Sequence, residues 1–85
     1  MQNHVKLYMK YHGYRVQEEI MCEICGEPAV DIHHIFERSI CAKHGIDRDC
    51  IDNLIALCRK DHENSDLKAR LKIELFDKLK EIQDD

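Results

Sequence analysis

The sequence contains one proline, no internal repeat, no low-complexity stretch and no apolar run near the roughly 18 residues that a membrane span requires. The last absence argues against a membrane protein, and the others leave nothing to mark a second domain or a long linker. The start, Met1-Gln2-Asn3-His4, lacks the basic residues and apolar core of a secretory signal. A soluble, cytoplasmic protein is therefore expected. Positive charge is also in short supply, since 13 Lys and Arg stand against 17 Asp and Glu for a net charge of −4. Basic side chains that neutralise phosphates supply most nonspecific affinity for nucleic acid, so this balance argues against a protein that simply coats DNA.

The charge is unevenly spread. Both ends are acidic, whereas residues 38–60 hold Arg38, Lys43, Arg48, Arg59 and Lys60 against three acidic side chains. A polyanion would meet this middle stretch; as a structural alternative it is a solvated polar loop.

A single domain of 85 residues buries too little apolar surface to be stable comfortably without a staple. The five cysteines supply a candidate. A reducing compartment disfavours disulfides, the count is odd, and Cys22-Glu23-Ile24-Cys25-Gly26 has the spacing with which two sulfurs reach one zinc ion. Cys58, at the end of a β-like run, is the natural third ligand. A second CxxC pair would need cysteine at 61, where the chain has Asp61. Its carboxylate can bind zinc at a similar distance and is the first candidate for the fourth ligand. Two alternatives stand beside it: Asp61 caps a helix, or Cys41 or Cys50 completes the site. Cys41 and Cys50 with His44 between them could hold a second ion, though ordinary loop roles are the simpler assignment.

Three segments organise the chain. Asn3 can cap a first helix with Val5, Tyr8, Met9 and His12 on one face, stopped by Gly13. Two β-like runs, 29–35 and 54–58, are expected to pair antiparallel across a long loop. From about residue 61 to 83 the chain favours helix, with Leu67, Leu71, Leu75, Leu79 and Ile82 forming one apolar stripe that Phe76 widens. That stripe packs on the domain or on a second copy of the chain, while Ile73 lies off it.

Within this frame Asp31-Ile32-His33-His34-Ile35, then Asp52-Asn53-Leu54-Ile55-Ala56-Leu57-Cys58, then His62, resembles the ββα-metal motif of HNH endonucleases, over residues 22–64. The Cys22/Cys25/Cys58 pattern is similar to the zinc-stapled form of that family, and the short acidic-tailed format to small phage-type members. The chemistry asks for such residues independently. Phosphodiester hydrolysis needs a base for the attacking water and a cation for the charge gathering on the phosphate and the leaving oxygen. A neutral imidazole suits the first role and two histidines can hold the second.

The resemblance implies the division of labour. His33 and His62 would hold a catalytic divalent cation (Mg²⁺, Mn²⁺, Ni²⁺ or Zn²⁺) beside the structural zinc, His34 would be the general base, and Asn53 would pin the loop near it. A regular strand would send His33 and His34 to opposite faces, so both serve one site only if the strand ends or distorts there. Taken singly, Asn53 reads as a turn residue and His62 as a surface histidine. Arg38 is expected to grip a phosphate. His4, His12 and His44 read as surface or packing residues. The implied fold is an α+β, ββα-metal domain with a zinc knuckle, an N-terminal helix and a long C-terminal helix. DNA is the implied substrate, and a homodimer or a larger DNA-processing complex the implied assembly. The competing functions are a noncatalytic zinc-ribbon module that binds DNA or protein, and an accessory nuclease subunit.

Overall fold

A computed structural model describes residues 2–83, with side chains through Lys80. Helix α1 (Asn3–His12) is followed by a long irregular segment, strand β1 (Asp31–His34), helix α2 (Arg38–His44), a 3-10 turn (Ile51–Asn53), strand β2 (Leu54–Leu57), the one-turn helix α3 (Arg59–His62) and helix α4 (Ser65–Gln83). The fold is α+β, consistent with a ββα-metal domain. Among the described residues no helix is long and apolar enough to cross a membrane.

The strands pair antiparallel, with Asp31 opposite Leu57, Ile32 opposite Ala56, His33 opposite Ile55 and His34 opposite Leu54. This is the expected hairpin, trimmed at both ends. Because side chains alternate across a strand, its two faces build two cores. Ile32, Leu54 and Ala56 pack with Tyr8 of α1, and Val5 leans on the same cluster. Ile55 and Leu57 pack on the other side with Phe36, Cys41 and the α4 residues Leu67, Leu71 and Leu75. All four β2 residues are consequently buried. Each α4 leucine removed from water contributes roughly 1.5–3 kcal/mol, which is why the stripe fixes the helix despite its many charges. Leu79 packs at the edge of this core; the side chain of Ile82 lies outside the described residues.

Two expectations about element ends are corrected. Asn3 is the first residue of α1 and Gln2 the cap, without a side-chain cap bond; Gly13 ends the helix at φ 76° as expected. The closing helix does not run unbroken from 61. It divides into α3 and α4 between His62 and Ser65, where the Asn64 side-chain oxygen accepts a hydrogen bond from the Leu67 N–H at 3.1 Å and so caps α4. The loop between the strands contains α2, a helix of seven residues, too short for its apolar spacing to be read from sequence.

Candidate metal centres and active site

The knuckle begins with a turn. The Gly26 N–H bonds back to the Cys22 carbonyl at 3.0 Å and the Cys22 N–H to the Glu27 carbonyl at 2.7 Å, with Gly26 at φ 79°, where a side chain would be strained. Cys22 and Cys25 thereby face the start of α3, which brings Cys58 and Asp61. Cys22 Sγ lies 3.2 Å from Asp61 Oδ2, Cys58 Sγ 3.3 Å from the same oxygen, and Cys25 Sγ 3.5 Å from Cys58 Sγ. One donor atom from each of the four residues fits within 4.8 Å of every other. Tetrahedral zinc, with bonds of about 2.0–2.3 Å, sets ligands roughly 3.3–3.8 Å apart, so the group can bind such a metal with adjustments of a few tenths of an ångström.

The electrostatics fit the same ligand set. Burial opposes ionisation of Cys22, yet the backbone N–H groups of Cys25, Cys58 and Ile24 hold its thiol below the ordinary value. The thiols of Cys22, Cys58 and Cys25 hold the Asp61 carboxyl below its ordinary value. A carboxylate only 8% exposed among sulfurs is expensive unless a cation completes its surroundings. Asp61 is therefore a member of the cluster rather than a helix cap. Cys41 is not: it is buried in the core, with its thiol 3.6 Å from the Phe36 carbonyl.

On the α3 side of the hairpin, His33 and His62 meet edge to face with ring centroids 5.2 Å apart. The His62 N–H bonds to the Cys58 carbonyl at 2.8 Å, so the same turn that carries two cluster ligands aims this imidazole at β1. Asp31, two residues before His33 and hence on the same strand face, has Oδ2 3.5 Å from His62 Nε2. Burial, with help from the neighbouring charges of His62 and Lys68, pushes His33 down to about 4. Its ring is thus neutral at physiological pH, with a lone pair available to a cation.

His34 goes to the other side. β1 ends there, but the alternation persists: His34 packs against His4 of α1 with the rings tilted and centroids 4.4 Å apart, and its Nε2 lies 2.8 Å from Asp49 Oδ1. Its hydrogen bond to His34 holds the Asp49 carboxyl below the ordinary value.

Asn53 is fully buried. Its side-chain oxygen accepts from the Phe36 N–H at 2.6 Å, and its amide donates to the carbonyls of Phe36 at 3.1 Å and Arg48 at 2.8 Å. It joins the segment after the His pair to the loop bearing Asp49. Arg38 is exposed at the start of α2. Arg48, in contrast, is tucked in, with its Nε buried and unpartnered among the described residues.

Three residues near the histidines were absent from the sequence-derived set. Asp31 was within reach, because positions two apart share a strand face. Asp49 and His4 carried no such signal; His4, read as a surface or packing residue, packs its ring against that of His34. His12 does behave as expected, exposed and packed on Tyr8 at 4.2 Å.

The family model described as HNH endonuclease matches residues 22–66, more than half of the chain. Comparison with curated proteins and with solved structures found no match.

Proposed function

This chain belongs to the HNH endonuclease family, and from that premise we propose that it is a metal-dependent endonuclease hydrolysing phosphodiester bonds in DNA. The observation that carries the proposal is the meeting of His33 and His62, brought from β1 and α3 to a ring separation of 5.2 Å within the family-matched segment. Asp31 adds a carboxylate at the same edge. These residues would hold the catalytic divalent cation, which when bound supplies Lewis-acid charge for the phosphate and the leaving oxygen.

His34 is the proposed base. With Nε2 engaged by Asp49, the fitting tautomer carries its proton on Nε2, and Nδ1 is left to accept the proton of the attacking water. Asp49 then steadies the imidazolium that results. Asn53, by tying Phe36 to Arg48, fixes the segments on either side of His34 and acts as a positioning residue. Arg38, exposed at the start of α2, and Arg59 and Lys60, exposed on α3 beside His62, are the proposed phosphate contacts. The Cys22, Cys25, Cys58 and Asp61 cluster is the proposed structural zinc site.

A second function has a specific observation in its favour. His33 and His34 face opposite sides of the hairpin, an arrangement that a noncatalytic zinc-stapled module binding DNA or protein would tolerate and a nuclease must bridge at the strand end.

The test is incubation with supercoiled plasmid and Mg²⁺, Mn²⁺ or Ni²⁺, with His34→Ala and His62→Ala as controls. Nicked or linear product from the wild type alone is expected. If all three proteins leave the plasmid equally intact under every metal, stand-alone cleavage is refuted, and retention of the plasmid in a gel shift would then identify the binding module.

A further inference from the structure

We propose that His4, His34 and Asp49 form a third cation site, suited to a borderline transition metal such as Zn²⁺, and that filling it silences the nuclease by occupying the base. One donor atom from each of the three residues lies within 4.8 Å of the others. They come from three separate parts of the fold: α1, the last residue of β1, and the loop after α2. None of the three is fully exposed or fully buried, so an ion can enter without unfolding the chain.

The donor set indicates which ion. Two imidazoles and one carboxylate leave a coordination position open and match zinc and its neighbours, whereas Mg²⁺ prefers an all-oxygen octahedron and would compete poorly. The distances nearly match. His34 Nε2 and Asp49 Oδ1 are 2.8 Å apart, and nitrogen and oxygen ligands of tetrahedral zinc stand about 3.3 Å apart. An opening of about half an ångström converts the hydrogen bond into a pair of metal bonds.

The loop is already held for this purpose. The Asp49 N–H bonds to the Asp47 carboxylate at 3.0 Å, and the Arg48 carbonyl is gripped by Asn53 at 2.8 Å. Because alternation along β1 puts His34 on the α1 side and His33 on the α3 side, this ion and the one between His33 and His62 occupy different faces of the hairpin. Two ions can therefore be bound at once.

The silencing half rests on His34 being the base; the binding half does not. An imidazole that donates its lone pair to Zn²⁺ has changed its tautomer and lost its carboxylate partner, so it no longer presents the same basic nitrogen to water.

The two halves are tested separately on the full chain with its cysteine cluster loaded. Zn²⁺ titration followed by calorimetry and metal analysis should give one equivalent fewer for His4→Ala than for wild type, and one fewer again when His62→Ala is added. The same equivalent should move the ring signals of His4 and His34 together in the NMR spectrum. Asp49→Asn, which keeps a hydrogen-bonding side chain on an accessible loop, should lose that equivalent too, which covers the case of a misfolded His4 variant. Equal zinc stoichiometry in wild type, His4→Ala and Asp49→Asn would overturn the site. In plasmid cleavage with Mn²⁺, the Zn²⁺ concentration that halves each protein's own rate should be at least tenfold higher for His4→Ala than for wild type. An unchanged value overturns the silencing. Absence of cleavage by the wild type overturns the nuclease assignment and the silencing with it, while the stoichiometry still decides the site.

Discussion

His33 and His34 share a peptide bond and face opposite sides of the β-hairpin, one ring against His62 at 5.2 Å and the other against His4 at 4.4 Å. Four imidazoles thus form two pairs separated by a single strand. A phosphate engaging both pairs has to lie across the end of β1, where the strand stops at His34. The two pairs should consequently fail in different ways when altered.

Replacement of His34 by Ala should lower the cleavage rate by about 10²–10⁴-fold, the usual range for loss of a general base, with catalytic-metal affinity left within about threefold by the placement of His34 on the opposite face. His62→Ala should abolish both metal binding on the α3 face and cleavage. Single-turnover cleavage and Mn²⁺ titration separate the cases. Loss of Mn²⁺ affinity in His34→Ala equal to that in His62→Ala would contradict the assignment of roles.

The Asp61 carboxylate can be examined without any nuclease assay. Loss of even an outer partner of a metal ligand typically costs about 10–100-fold in affinity, so Asp61→Ala should lose at least that much for zinc and melt at a lower temperature. Asp61→Cys, which completes a four-cysteine site, should hold zinc as tightly as wild type or more so. Elemental analysis after dialysis against a mild chelator reads this directly. Full zinc occupancy in Asp61→Ala would remove the residue from the cluster.

Much of this arrangement is legible in the sequence, and its limits have physical causes. The knuckle, the hairpin and the Leu67, Leu71 and Leu75 stripe follow from local spacing, because a turn, an alternation and a helical repeat each leave a signature within a few residues. Helix α2 leaves none at seven residues. The break after α3 is set by Asn64 capping α4 while Asp61 turns toward sulfur, a competition between two side-chain roles that composition does not decide. The approach of His4 and Asp49 to His34 joins residues 30 and 15 positions away in the chain, and it is the packing of Tyr8 and Val5 on the hairpin that brings α1 there.

Asn53→Ala should destabilise the fold by about 2–4 kcal/mol, since it strips hydrogen-bond partners from the buried Phe36 N–H and from the Phe36 and Arg48 carbonyls at once. Asn53→Asp keeps the acceptor for Phe36 but turns a carboxylate toward two carbonyl oxygens, and should be no better. Denaturant midpoints of the zinc-loaded proteins measure this. A change under about 0.5 kcal/mol, the range of a neutral surface substitution, would mean that the loop holds its shape by other contacts.

Acid should weaken the fold through His33. Its pKa is about 4 in the folded chain and about 6.5 when unfolded. Between these values the unfolded state takes up a proton that the folded state refuses, so stability present above pH 6.5 declines as pH falls toward 4. In His33→Gln this contribution is missing. The stability difference between wild type and variant should therefore shift against the wild type across that window, seen in melting temperatures at pH 7, 6 and 5. Parallel curves would show that the ring is solvated in the fold.

The family match closes at residue 66, one position before the first of the buried α4 leucines, Leu67, Leu71 and Leu75. The portion that carries the chemistry therefore has no floor of its own. Its hairpin is roofed by α1 and floored by α4, both largely outside the matched segment, and each layer supplies an apolar surface with no resemblance in sequence to the motif it shelters. Exchange of α4 for another helix of matching volume and polarity should therefore leave the metal-binding centre intact, whereas exchange of α1 would also take His4 away from His34.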